Sequence, residues 1–300
     1  MSKSIIETSG PSVDSIVWHP HDWLPPRGDV PIRGELFGVE RLEELAARLA
    51  ESCGLAPRRR LGSPLLGRFA ENERFLQRVH RRIAGQTSGH PSSGFDAEWF
   101  ADNFHIIDEV LREVRRDLPP GYDRELPKLV DPPLGGYPRV YALALVAHTD
   151  SELDEARLTR FVRVFQKTAT LTIGELWALP TMFRLVLLEN LRRLAGQMIW
   201  RWEERQHADR WAAEAWRGGR VSGARPPAPP ADASDSFVVR LLQLLDSQEP
   251  RAPEVLASVE RWLESLGVGP NDVLLRDHRR QAANQVSVGN CVISPGWRWR

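Results

Sequence analysis

Apolar residues recur along most of this chain at intervals of three and four residues, with charged side chains between them. In VERLEELAARLAESCG, which begins at Val39, the apolar positions include Leu42, Leu45 and Leu49, and Gly54 ends the run. This spacing predicts an amphipathic helix, because residues three and four apart share one helical face. Similar patterns follow in SPLLGRFAENERFLQRVHRRIAG and SSGFDAEWFADNFHIIDEVLREVRRDLPPG.

The longest pattern runs from LTIGELWALP to RWAAEAW and predicts a single long helix. Thr172 and Glu175 indicate its start, and Pro180 is expected to kink it. No segment alternates apolar and polar residues between hairpin turns. The sequence therefore predicts an all-α fold, a multi-helix bundle or array with an irregular N-terminal leader.

Changes in composition divide the chain into five predicted parts. Pro and Gly recur in WHPHDWLPPRGDVPIRG, which predicts an irregular leader at 1–38. A main helical domain is predicted at 39–217, followed by a Pro/Gly/Ala-rich linker or loop at 218–234. Helices at 235–294 are predicted to continue the helical region, and PGWRWR forms an aberrant tail at 295–300.

The charge balance and the cysteines limit the classes of protein. The formal net charge is +0, which argues against a general electrostatic grip on nucleic acid. The most apolar run, at 141–147, is far shorter than the roughly 20 residues that a membrane helix needs. Cys53 and Cys291 make no CxxC pair. We therefore expect a cytoplasmic protein with no disulfide framework and no direct membrane span.

A polar cluster in EWFADNFHIIDE is one candidate for chemistry. Glu98, Asp102, His105 and Glu109 are spaced by four, three and four residues, so they share a face if the segment is one helix. Di-metal helical bundles use carboxylates and Glu-x-x-His positions of this kind. Such sites need a matching motif on a second helix pair, and the sequence offers none with His. A solvated or interhelical polar face is the more common explanation.

The leader holds another group of metal-ligand residue types, His19, His21 and Asp22 in HPHDW. It lies in a Pro-rich stretch with no third ligand from a rigid element, so an irregular loop is the favoured interpretation. No metal is predicted for the chain.

Three ionisable residues lie among strongly apolar neighbours in the long helical pattern. These are Glu175, Arg184 and Glu189. A buried carboxylate can be catalytic, but a buried Arg–Glu pair that joins helices is more common. The sequence therefore predicts a buried ion-pair network at these positions.

Tryptophans are dense in the second half of the same pattern, at Trp200, Trp202, Trp211 and Trp216. Aromatic residues at such spacing mostly pack helices together, whereas carbohydrate-binding platforms use exposed Trp. The sequence is compatible with both interpretations, and helix packing is the more common one.

Catalytic signatures are absent from the sequence. It contains no GxGxxG, P-loop, GxSxG or HExxH motif. From its residues alone, the chain is a helical protein without an identifiable active site.

One long block resembles a known family. WFADNFHIIDEVLREVRRDLPPGYDRELPKLVDPPLGGYPRVYALALVAHTDSELDE, with LTIGELWALPTMFRLVLLENLRRLA and RDHRRQAANQVSVGN, is similar to the N-terminal helical region of cyclic β-1,2-glucan synthases. The resemblance covers roughly residues 64–292. These synthases are large bacterial inner-membrane enzymes, and their catalytic modules follow this region.

The resemblance implies that catalysis belongs to other parts of the synthase. UDP-glucose and a divalent metal are implied only for the glycosyltransferase domain, so no cofactor and no catalytic residue is expected in this chain. The implied partner is the downstream membrane and glycosyltransferase region, at the cytoplasmic face of the inner membrane. The family pattern continues past QAANQVSVGN, whereas this chain turns into PGWRWR, so we expect a truncated fragment. The alternative is an intact helical module that acts as a free-standing subunit.

Three hypotheses follow for the function of the chain. The first is a non-catalytic structural and interaction region of a cyclic β-1,2-glucan synthase, inactive alone. The second is a carbohydrate-binding helical module that holds the nascent β-1,2-glucan through its tryptophans. The third is an independent helical metal-binding enzyme built on the polar cluster at 98–109.

Overall fold

The computed structural model describes most of the chain from Val39 onward, at residues 39–55, 64–85, 95–119, 121–130, 134–145, 155–219, 229–230, 233–247, 253–265, 269 and 271–279. Several predictions fall outside these residues: the leader with His19, His21 and Asp22, most of the 218–234 linker, and the tail at 295–300.

The described residues confirm the all-α fold class. The helices are α1 Val39–Ser52, α2 Leu65–Ala84, α3 Phe95–Asp102, α4 Phe104–Asp117, α5 Tyr122–Glu125, α6 Arg139–Ala144, α7 Glu155–Thr168, α8 Ile173–Gly219, α9 Asp235–Ser247, α10 Pro253–Ser265, and α11 at 271–279. Extended pairing within the described ranges is confined to two isolated antiparallel bridges, Leu55 with Leu129 and Lys128 with Pro138.

Helix α8 is the central element, and its 47 residues extend over about 70 Å at 1.5 Å per residue. Its first half packs against α2, α4 and α6, while α9 and α10 also pack on α8. Helix α1 packs against α7. None of the described helices is long and apolar enough to cross a membrane.

The larger hydrophobic core surrounds α6, and every residue of that helix is buried. Phe161 and Phe165 of α7 and Met182 of α8 are among its fully buried side chains. Because α6 is enclosed on all sides, its one charged residue, Arg139, must find its partner inside the protein.

A second, smaller core forms on the other half of α8. Ala208, Trp211, Ala212 and Ala215 line one face of α8 and pack near Phe237 of α9. Small alanine side chains allow α9 to approach closely. The boundary between the two cores thus falls inside the continuous helix α8, ahead of the predicted 218–234 linker.

The segment after α2 differs from the single helix that the apolar spacing predicts. The chain turns at Asn103, with φ −96° and ψ 6°, and this turn separates α3 from α4. The Asn103 side-chain amide donates a hydrogen bond of 2.8 Å to the Trp99 carbonyl. An Asn side chain that bonds the backbone of its own turn competes with the helical pattern, which accounts for the break.

Candidate functional site

The first turn of α8 is held by a capping box. The backbone N–H of Thr172 donates to Glu175 Oε2 at 2.8 Å, and the backbone N–H of Glu175 donates to Thr172 Oγ1 at 3.2 Å. These reciprocal bonds satisfy N–H groups that have no partner within the helix. The predicted helix start at Thr172 and Glu175 agrees with this geometry.

Replacing Thr172 by alanine is expected to lower the free energy of unfolding by about 0.5–2 kcal/mol, because it removes the hydroxyl half of this box. Urea denaturation of the purified chain measures the change. Thr159, an exposed threonine on α7, is a suitable control for the same substitution. Equal losses in the two variants would show that the Thr172 cap contributes nothing of its own.

Glu175 also forms a buried ion pair with Arg139 of α6. Arg139 Nε donates to Glu175 Oε1 at 2.9 Å, and Arg139 Nη2 donates to Oε2 at 2.7 Å. A further bond of 2.9 Å runs from Nη2 to the Thr170 carbonyl. The Glu175 side chain is 0% exposed. This bidentate pair fixes the rotation of α8 about its axis at its N-terminal end.

That rotation turns apolar side chains outward. Residues two positions from Glu175 lie about 200° around the helix, because each residue advances about 100°. Ile173 and Trp177 therefore face away from the core, and they are 75% and 76% exposed. Leu176, on the same side, is 41% exposed. We call Ile173, Leu176 and Trp177 the apolar stripe. Sequence reasoning missed it, although the signal, a polar Glu inside LTIGELW, was present.

Glu189, further along α8, lies at the centre of a second buried polar cluster. It accepts a hydrogen bond of 2.6 Å from the Tyr141 hydroxyl and one of 3.4 Å from Asn72 Nδ2. It also forms an ion pair with Arg68 of α2. Burial, and then the neighbouring Glu189 carboxylate, raises the pKa of Tyr141 well above its ordinary value. The hydroxyl therefore stays protonated and donates to Glu189, which joins α2, α6 and α8.

Arg184, the third member of the predicted network, lies in a different place. Its Nε is 3.1 Å from Glu113 Oε2 and its Nη1 is 3.7 Å from Asp117 Oδ2, both on α4. Its side chain is partly exposed. Glu175, Arg184 and Glu189 thus bind separate sets of partners rather than one another. Glu175 binds α6, Arg184 binds α4, and Glu189 binds both α2 and α6.

The predicted polar face at 98–109 is divided by the turn at Asn103. Glu98 and Asp102 lie on α3, whereas His105 and Glu109 lie on α4, and all four are exposed. His105 Nδ1 is 3.0 Å from the Asp102 carbonyl oxygen, a contact to the backbone rather than to the carboxylate. Across the described ranges, no group of three or more His, Cys, Asp or Glu residues is placed to hold a metal ion.

The predicted tryptophan platform is largely taken up by packing. Trp211 is buried and Trp216 is half-buried in the smaller core. The Arg82 guanidinium carbon lies over the Trp202 ring, 4.6 Å from the centroid of that ring. Trp200 is half-buried. This arrangement favours helix packing, and it does not favour a carbohydrate-binding module.

The thiol of Cys53 lies beside the Arg139–Glu175 pair at the end of α1. Burial is the main cause that raises its pKa to about 11. The group is therefore protonated at neutral pH and is a poor nucleophile.

Comparison with known proteins identifies a relative. No family model matches the sequence. The chain is 33% identical over 270 residues to the cyclic beta-(1,2)-glucan synthase NdvB of Rhizobium meliloti (strain 1021). The chain is homologous to a segment of a cyclic β-(1,2)-glucan synthase. This match confirms the resemblance to cyclic β-1,2-glucan synthases that the sequence indicated.

The two proteins differ greatly in length. The alignment covers 88% of this chain but only 9% of the synthase. The two buried ion-pair clusters and the apolar stripe lie on helices α2, α6 and α8, inside the stretch where the sequence resembles the synthases. The chain thus matches only a small part of that much longer synthase.

Proposed function

We propose that this chain serves as a non-catalytic structural and interaction region of a cyclic β-(1,2)-glucan synthase. Its partner is the membrane and glycosyltransferase region of the synthase, at the cytoplasmic face of the inner membrane. UDP-glucose and a divalent metal act in that region, not in the helical chain. The homology over 88% of the chain supports the link to the synthase.

The hydrogen bonds of the two buried carboxylates support the non-catalytic part of the proposal. Glu175 accepts bonds from Arg139 and from Thr172, and Glu189 accepts bonds from Arg68, Asn72 and Tyr141. A catalytic carboxylate must reach the substrate or its water. Both of these carboxylates are buried and their oxygens are taken up by bonds that join helices.

The proposal predicts that the purified chain transfers no glucose. Radiolabelled UDP-glucose, magnesium or manganese, and a linear β-1,2-glucan acceptor are incubated with the full chain, and labelled glucan is counted. Membranes containing the R. meliloti synthase provide the positive control. Incorporation should not exceed the protein-free blank. Incorporation that rises in proportion to the amount of chain would overturn the non-catalytic proposal.

A further inference from the structure

The N-terminal end of α8 exposes apolar side chains and buries a charged one, which is the reverse of an ordinary surface helix. A surface helix buries its apolar face and exposes its charged one. Here the Glu175 carboxylate is buried, while Ile173 and Trp177 are 75% and 76% exposed. A folded protein that leaves them in water while burying a charge presents a surface suited to binding.

The stripe continues a face of α8 that another helix covers further along. Ile173, Trp177 and Arg184 lie on one side of α8, at i, i+4 and i+11. At Arg184, that side meets the C-terminal end of α4 through Glu113 and Asp117. Helix α4 ends at Asp117, and the chain after it meets the first turn of α8 at Gly174, where the Tyr122 hydroxyl donates to the carbonyl at 3.1 Å. Ile173 and Trp177 stay exposed beside this contact, so an apolar segment placed on them would extend the cover of α8.

We infer that the apolar stripe is the docking face for an apolar segment from the remaining part of the synthase polypeptide. This inference rests on the proposed function and names the surface through which it acts. The occupant is a tethered segment rather than a second copy of the chain.

The size of the stripe supports a tethered occupant. Three side chains exposed to this extent offer at most on the order of 400 Å², because none is larger than an aromatic side chain, which counts about 150–250 Å². A stable complex between separate proteins buries about 800 Å² on each partner. A segment of the same polypeptide needs less area, because tethering provides effective concentrations of about millimolar. The relative has the necessary chain, since the homologous segment is 9% of its length.

A chimeric synthase tests the inference on an intact polypeptide. This chain replaces the segment that it matches in the R. meliloti synthase, in a host whose own synthase gene is deleted, and cyclic glucan is measured. A photo-crosslinking amino acid, p-benzoyl-phenylalanine, is placed at position 177 or, as a control, at position 214, an exposed site on the far half of α8. Mass spectrometry then identifies the linked peptides.

Position 177 is expected to link to a peptide from outside the inserted chain, and position 214 is not. Links from position 177 only to another copy of the inserted chain would overturn the inference in favour of self-association. Links only within its own copy would overturn it as well.

Paired substitutions provide a second readout. For I173S/W177S, p-benzoyl-phenylalanine is moved to position 176, because position 177 is itself changed. Both the crosslink from position 176 and the yield of cyclic glucan are expected to fall, on the order of tenfold, as when an aromatic anchor is lost. The control R210S/E214S changes two exposed residues with the same spacing on α8 and should leave both unchanged. Circular dichroism and thermal unfolding of the free 300-residue chain check that each variant folds.

The outcomes separate this inference from the proposed function. An active chimera whose glucan yield and crosslinks are unaffected by I173S/W177S overturns the docking face but leaves the proposed function standing. An inactive chimera with the unchanged chain overturns both, because the chain then cannot serve as a region of the synthase.

Discussion

Replacing Glu189 by alanine is expected to lower the free energy of unfolding by about 3–5 kcal/mol, because it removes the buried carboxylate that pairs with the Arg68 guanidinium. Arg68 would lose its ion pair, and the Tyr141 hydroxyl and Asn72 amide would lose a shared acceptor. The three groups come from α2 and α6, so the loss loosens the packing of both helices on α8. Urea denaturation followed by circular dichroism measures the change.

Glu203 provides a matched control for this prediction. It also lies on α8 and forms an ion pair, with Arg82 at 2.7 Å, but its side chain is 50% exposed. Replacing it by alanine should change the free energy of unfolding by less than about 1 kcal/mol. If the Glu189 and Glu203 variants lose similar stability, the buried cluster does not hold the helices together as we describe.

Replacing Arg139 by alanine is expected to cost a similar amount, about 3–5 kcal/mol, since it leaves the Glu175 carboxylate buried without a counter-charge. Of the hydrogen bonds that the structure gives the Glu175 carboxylate, only those from Thr172 would remain. Lysine at position 139 should recover part of the loss, because it restores the charge but not the two parallel hydrogen bonds. Thermal and urea unfolding of the three proteins rank these effects.

Arg276 is the control for the bidentate geometry. It binds Asp235 through two bonds of 3.1 and 2.9 Å, but its side chain is 49% exposed. Its replacement by alanine should lower the free energy of unfolding by less than about 1 kcal/mol.

The double variant Arg139→Met with Glu175→Leu should recover most of the stability lost by Arg139→Ala, because it removes both buried charges together. If the double variant is as unstable as Arg139→Ala, the stability lost in Arg139→Ala does not arise from the unpaired Glu175 charge.

Local sequence signals accounted for the helices themselves. The spacing of Leu42, Leu45 and Leu49 predicted α1, and all three contribute to the larger core. The pair Thr172 and Glu175 predicted the start of α8 because a capping box needs residues only three positions apart. Such signals are readable because they depend on neighbours within one or two turns.

The partners of the buried charges could not be read in this way. Glu175 and Arg139 are 36 residues apart, and Glu189 and Arg68 are 121 apart. Sequence spacing says nothing about which side chains meet over such distances. The break at Asn103 was missed for a related reason, since the apolar spacing continues across it while a single side-chain bond to the Trp99 carbonyl accompanies the turn.

The sequence by itself determined that this protein is all-α, where its long central helix begins, and its relation to the cyclic β-(1,2)-glucan synthases. Each of these depends on residue identity and short-range spacing. Only the tertiary structure decided which face of α8 meets the core, because that depends on where Arg139 is placed by the packing of α6. The burial of Glu175 against Arg139 then forced Ile173 and Trp177 into solvent, against what their hydrophobicity alone would favour.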